Sequence, residues 1–100
     1  MTARVWHGRT RGADAAAYRE LLERIGLRDY RATHGNRGGW LPSRVEGDVA
    51  HFLITSFWES REAIARFAGE DVERARYYEE DKQYLLEFEP TVTHYEISGG

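Results

Sequence analysis

Residues Val49 to Trp58 constrain this chain more than any other segment. They read Val-Ala-His-Phe-Leu-Ile-Thr-Ser-Phe-Trp, dense in β-branched and aromatic side chains, and the hairpin signal Glu46-Gly47-Asp48 precedes them. Alternation puts Ala50, Phe52, Ile54 and Trp58 on one face, and His51, Leu53, Thr55 and Phe57 on the other. Both faces are substantially apolar. An antiparallel strand with one wet face shows clean polar alternation, so this strand must be covered on two sides.

The remaining elements arrange themselves around it. Val5 to Thr10 reads as a first strand. Gly12-Ala13-Asp14 breaks it, and Asp14 can cap a helix whose stripe is Tyr18, Leu21, Leu22 and Ile25. Gly26 is the expected stop, and Leu27 to His34 is ambiguous, with room for a second short helical piece. The turn cluster Gly35-Asn36-Arg37-Gly38-Gly39 leads into a strand from Gly39 to Val45, which Pro42 pushes toward a sheet edge or a bulge. The cluster is a plain turn, because it precedes a strand whereas phosphate loops open helices. Ser60 caps a second helix with Ala63, Ile64, Phe67 and Ala68 facing inward, and Gly69 ends it. Asp71 is expected to cap a further turn through Ala75 and Tyr78. A short helix is expected around Tyr84-Leu85-Leu86, stopped by Pro90, and Thr91 to Ile97 is the last strand.

The order is therefore β-α-β-β-α-β. Its simplest closed solution is an α+β fold, a ferredoxin-like antiparallel sheet with both helices on one face, in a single domain spanning residues 1–100. The helices leave one sheet face bare. Leaving two or three of its apolar side chains in water forgoes roughly 1.5–3 kcal/mol each. A second copy of the same sheet is the simplest cover, so a homodimer is expected.

Composition removes several function classes. The chain has 100 residues, 14 basic against 17 acidic side chains and a formal charge of −3, without the basic footprint of a nucleic-acid binder. It has 0 Cys, which excludes disulfides, thiolate metal sites and a Cys nucleophile. No apolar run is long enough to span a bilayer, and Met1-Thr2-Ala3-Arg4-Val5 lacks the apolar core of a signal peptide, so a cytoplasmic location is expected.

The segment Phe57-Trp58-Glu59-Ser60-Arg61-Glu62-Ala63-Ile64-Ala65-Arg66-Phe67 resembles the antibiotic biosynthesis monooxygenase domain: a strand ending in Trp, a short capped turn, then a helix opening with Glu-Ala. The resemblance extends over nearly the whole chain, to Thr93-His94-Tyr95-Glu96. It implies two ferredoxin-like sheets facing each other in a homodimeric α+β barrel, with a pocket between sheet and helices in each subunit. Some members of that family oxidise polycyclic phenols and anthrones with O2 and no cofactor; others bind and degrade haem. The haem-degrading branch places an Asn on the first strand, a Trp on the second helix and an axial His about ten residues later. Here the corresponding positions hold His7 or Trp6, then Phe67, then Tyr77. These departures count against haem degradation, although a tyrosinate can ligate ferric iron.

The expected catalytic residue is His7, a strand imidazole of the residue type that can take a proton from a phenol or an activated C–H. An inert, dimer-facing His7 is the competing reading. Trp6, Trp40, Phe67, Tyr77 and Tyr78 are expected to line a flat pocket for a small aromatic or polyketide-like molecule, with Arg37 or Arg44 stabilising an oxyanion. Aromatic residues at these spacings also serve as plain core. If the hairpin loop has two residues, His51 shares a face with Arg44 and Trp40; a loop of three reverses this. His7, His51 and His94 lie on three strands, but no His-x-His or His-Glu-x-x-His spacing is present, so no metal is expected. The expectation is a cofactor-independent monooxygenase or related proton-transfer enzyme. The alternatives are a binder of haem or another hydrophobic metabolite, and a ligand-free stress or assembly protein.

Overall fold

The computed structural model describes residues 1–99. Its elements run β1 (Thr2–Arg11), α1 (Ala15–Leu21), α2 (Leu27–Ala32), β2 (Asn36–Trp40), β3 (Ser43–Glu46), β4 (Val49–Trp58), α3 (Arg61–Ala68) and β5 (Thr93–Glu96). β4, the strand that is apolar on both faces, is central. It pairs antiparallel with β1 along its whole length, from Thr2 opposite Trp58 to Arg11 opposite Val49. The sheet order is β2-β4-β1-β5, with β3 also on β4, and every pairing is antiparallel. This is the ferredoxin-like α+β arrangement expected from the element order.

Three elements differ from their sequence-based expectation. The first helix does not stop at Gly26. A π-turn over residues 22–26 carries it into α2. Tyr18, Leu21, Leu22 and Ile25 exhaust the first stripe, and an unbroken α-helix would turn Leu27 and Tyr30 away from it. The wide turn inserts one residue, which rotates the rest of the helix by about 100°, and Leu27 and Tyr30 are buried. Gly26 remains helical within that turn.

The second strand is two pieces, β2 and β3, separated at Leu41-Pro42. Pro42 has no N–H to give the ladder, while its carbonyl accepts from the Leu53 amide at 2.9 Å. The strand is thus interrupted where Pro sits, on the edge side of β4.

Residues 69–92 are the third departure. A turn does form at Asp71, whose carbonyl accepts from the Arg74 amide at 3.1 Å, but it does not run on through Ala75 and Tyr78; the helix at Tyr84-Leu86 does not form, and a 3-10 turn over Glu79–Gln83 is the regular piece. Such short windows hold few helical hydrogen bonds, and here tertiary bonds replace them. Ala75 donates to the Pro90 carbonyl at 2.9 Å, Val92 to that of Glu73 at 2.8 Å, and Leu86 to that of Arg9 at 2.9 Å. The result is an irregular strap running from α3 to β5 past the edge of β1.

α3 forms as its sequence demands. Ser60 Oγ accepts from the Ala63 amide at 3.2 Å, Ala63, Ile64 and Phe67 are buried, and Gly69 leaves the helix at φ 90°, a conformation open to glycine.

Alternation divides the sheet cleanly. Arg4, Trp6 and Thr10 of β1, with Ala50, Phe52, Ile54, Ser56 and Trp58 of β4, are buried toward the helices. Gly8 belongs to the same row: the Trp6 ring lies across it, and a Cβ there would come 2.1 Å from the indole. Val5, His7, Leu53, Thr55 and Phe57 point the other way. That face is left open by the helices, with Leu53 41% exposed and Trp40 68% exposed.

Candidate active site

The open face carries a chain of titratable side chains in mutual contact. His7 on β1 and His51 on β4 sit diagonally on neighbouring strands, since His7 is opposite Leu53 and His51 opposite Arg9. His7 Nε2 lies 3.1 Å from His51 Nδ1. The ring centroids are 5.4 Å apart and the planes within 18°, the in-plane head-to-tail arrangement of imidazoles joined nitrogen to nitrogen. The strap supplies the next member: Glu89 Oε2 is 2.5 Å from His7 Nδ1. At the far end, Glu46 Oε1 lies 3.7 Å from His51 Nε2.

Protons in this chain obey donor and acceptor rules. An ionised carboxylate only accepts, so His7 Nδ1 carries the hydrogen toward Glu89. In neutral His7 the Nε2 lone pair then accepts from His51 Nδ1–H. His51 Nε2 is left with a free lone pair. That atom belongs to a residue lining a cavity of about 390 Å³ bordered by His7, Pro42, Arg44, Glu46, His51 and Leu53. The volume lies in the range of small-molecule sites. A proton taken at His51 Nε2 can leave through Nδ1 to His7 Nε2, placing the positive charge beside Glu89. The two-residue loop Gly47-Asp48 sets this geometry. It puts Glu46 opposite Val49 and Arg44 opposite His51. Arg44 bonds Glu46 at 2.9 Å and remains largely exposed.

The helix side is built differently. Phe67 lies 4.4 Å from the Tyr30 ring and 6.0 Å from Trp58, and Trp6 meets Tyr77 edge-on at 6.1 Å. Tyr18 donates to Asp81 at 2.9 Å, and the Tyr78 amide donates to the other Asp81 oxygen at 2.7 Å. Burial pushes the Tyr18 phenol up, with Asp81 adding to the shift; it also pushes the Asp81 carboxyl up, against those two hydrogen bonds. The Tyr78 hydroxyl, likewise raised by burial and by Asp29, donates to the Asp29 carboxylate at 2.6 Å. What remains open among Trp6, Tyr18, Tyr30, Phe67 and Tyr78 is a cavity of about 20 Å³, room for a water or two.

The residues singled out from the sequence therefore do not form one pocket. His7, Trp40 and Arg44 are on the open face; Trp6, Phe67 and Tyr78 are on the helix side. Neighbours on a strand point to opposite faces, which separates His7 from Trp6. Tyr77 stands between the two groups. It is edge-on to Trp6, and its hydroxyl donates to the Glu89 carbonyl at 2.5 Å, so it anchors the strap where Glu89 departs. Burial raises the Tyr77 phenol, and its proton is committed to that carbonyl. Neither this phenol nor the filled helix-side layer fits a haem. Arg37 pairs with Glu59 near the end of β4, away from the cavity. His94 is on the helix side of β5, apart from His7 and His51. Among the described residues, no group of three His, Asp or Glu has the geometry of a metal site, and no helix is long and apolar enough to cross a membrane.

Glu89 and Glu46 were not singled out from the sequence. The two-residue hairpin turn could have located Glu46. Glu89 sits in the irregular strap, where no periodicity exists to place it.

No family model matches the sequence, and no curated protein matches it. Solved structures do. Rv0793 from Mycobacterium tuberculosis superposes with a TM-score of 0.62 at 19% identity, covering 99% of this chain and 96% of that one. A variant of MhuD, crystallised with two manganese protoporphyrin IX molecules per active site, gives 0.60 at 18% identity and full coverage of both chains. Identities this low speak to architecture alone. The chain folds as the antibiotic biosynthesis monooxygenase domain does, the fold that its Phe57 to Phe67 segment resembles.

Proposed function

We propose that this protein is a proton-abstracting enzyme of the cofactor-independent oxygenase kind, acting on a small aromatic substrate at the open face. The observation that carries the reading is the Glu89–His7–His51 chain on the wall of the 390 Å³ cavity. His51 Nε2 is the base that meets substrate. His7 receives the relayed proton and Glu89 balances its charge. Arg44, beside His51, faces the oxyanion that develops on a phenol or ketone.

The reaction class is oxidation of a methylene flanked by aromatic rings. The base removes one C–H proton, and the carbanion adds to O2 to give a peroxide. Once the peroxide is protonated, loss of the second C–H proton breaks the O–O bond. One oxygen stays as the new carbonyl and the other leaves as water, with all four electrons coming from substrate and O2 the only co-reactant.

The same reading places a second copy over the open face, making the homodimer that encloses the cavity. Exposed Trp40, Leu53 and Tyr95 support it. Sedimentation at micromolar concentration is expected to give twice the 11.6 kDa chain mass; a monomer would leave the cavity open and count against this enclosure.

Oxygen uptake with an anthrone panel tests the chemistry. His51→Ala is expected to lower turnover by about 10²–10⁴-fold with the far-ultraviolet spectrum unchanged, and Glu89→Gln to lower it less. Turnover surviving His51→Ala intact would remove the base assignment.

A further inference from the structure

The imidazole chain has a direction, and one bond sets it. With the His7 proton on Nδ1, His7 Nε2 accepts from His51 Nδ1–H, and the cavity end of His51 keeps its lone pair. With the His7 proton on Nε2 the chain reverses. His7 then donates, His51 Nδ1 accepts, and the His51 proton sits on Nε2, where the base should be. The acceptor that holds the first arrangement is the Glu89 carboxylate on His7 Nδ1. The placement of Glu89 therefore decides whether His51 is a base.

Little backbone holds Glu89. Behind it the strap pairs with itself: Val92 donates to the Glu73 carbonyl at 2.8 Å, Ala75 to the Pro90 carbonyl at 2.9 Å, and Arg74 lies opposite Thr91. That pairing ends at Pro90. Among the described residues, neither the Glu89 amide nor its carbonyl makes a backbone hydrogen bond. Pro90 biases the residue before it toward extended backbone, and side chains must do the rest. The Tyr77 hydroxyl supplies the fixing bond, to the Glu89 carbonyl at 2.5 Å. The Tyr77 ring is itself held edge-on from two sides, by Trp6 at 6.1 Å and by Phe88 at 4.9 Å. The buried Trp6 N–H lacks a hydrogen bond of ordinary geometry, and the Tyr77 oxygen is the acceptor set against it. An oxygen facing that donor turns its own O–H elsewhere, here to Glu89. Burial raises the phenol, so the proton stays in that bond.

We propose that Tyr77 is a positioning residue for the open-face site. It fixes Glu89, Glu89 fixes the His7 tautomer, and that tautomer leaves His51 Nε2 with its free lone pair. Tyr77 does not line the 390 Å³ cavity and acts only through the strap. This role rests on the reading of His51 as the base.

Long-range ¹H–¹⁵N spectra report which ring nitrogen carries the proton. They are recorded on labelled protein at about pH 9, where ordinary imidazole is neutral. In the wild type, His7 and His51 are both expected as Nδ1–H rings. Tyr77→Phe keeps the two edge-on contacts and removes only the hydroxyl. It is expected to move both rings together toward Nε2–H, with His34 and His94 unchanged. Glu89→Ala removes the acceptor and sets the full extent of the change; adding Tyr77→Phe to it should change nothing more. In oxygen uptake, Tyr77→Phe is expected to lower kcat about tenfold, less than loss of the base does, with KM little altered. Wild-type tautomers in Tyr77→Phe, or a further shift in the double variant, overturns the positioning role. Should Tyr77→Phe not fold, Phe88→Ala frees the exposed side of the Tyr77 ring; the same shift, smaller, is expected, and its absence refutes the role. Rings that are not Nδ1–H in the wild type overturn this role and the base assignment together. Tautomers that respond as expected, with no anthrone oxidised, remove the oxygenase reading and leave the positioning role standing.

Discussion

The two faces of this sheet draw on the same two strands and reach opposite solutions. Toward the helices, β1 and β4 present Trp6, Phe52, Ile54 and Trp58, closed over until about 20 Å³ is left. Toward the outside they present half-buried His7 and His51 and exposed Leu53 around about 390 Å³. The helix side holds its polar groups in small separate clusters, such as Tyr18 and the Tyr78 amide on Asp81. The open side holds them as a connected chain with a free lone pair at its end. Stability resides mainly in the first face, and proton-transfer chemistry is expected at the second.

The sharpest way to break this contrast is to empty the closed side. Trp58→Ala removes a fully buried ring that contacts Tyr30 and Phe67 and is expected to cost about 3–5 kcal/mol in denaturant unfolding. Gly8→Ala comes next. It adds a methyl where the Trp6 indole already lies, with an expected loss of about 1–3 kcal/mol; a neutral result would mean that Trp6 has another place to go.

A pH series sharpens the contrast further. The fold favours protonated Asp81, so this group's stabilisation is full below its usual value of 3.8 and is lost as pH rises through the raised folded value. Relative to Asp81→Asn, the wild type should therefore gain stability on moving to acid. The fold favours neutral His94, so its contribution is full above 6.5 and is lost as pH falls through the lowered folded value. Relative to His94→Gln, the wild type should lose ground over that fall. Matching curves for wild type and variant would show that the fold does not bias either group. The smallest effect belongs to the open face: Leu53→Ser, in a chain dilute enough to be monomeric, is expected to change stability by no more than about 0.5 kcal/mol, while weakening self-association.

Much of the fold was legible because its strongest signals are periodic. β4, α3 with its Ser60 cap and the β-α-β-β-α-β order come from alternation and from the 3.6-residue stripe. The hairpin itself was legible, but its loop length was open between two and three residues, and only the observed Gly47-Asp48 turn sets Arg44 opposite His51. The π-turn was not legible, because Leu27 and Tyr30 fall off the stripe that Tyr18 begins and only the inserted residue restores them. His7 was grouped with Trp6 by adjacency in the chain, whereas pleating sends such neighbours to opposite sides. Glu89 was invisible for another reason: the strap takes its shape from bonds to distant backbone, at Arg9, Glu73 and Pro90, and those leave no local pattern.

The strap touches both faces, at Tyr77 and at Glu89, and one hydrogen bond ties these two points together. Tyr77 rests against Trp6 on one side, and Glu89, held by the Tyr77 hydroxyl, reaches His7 on the other. Two events felt at the two ends of one thread are thermodynamically linked, and linkage runs equally in both directions. A shift of Trp6 that drew Tyr77 with it would alter how firmly Glu89 grips the imidazole, and protonating that imidazole would bias the Tyr77 contact with Trp6 by the same factor.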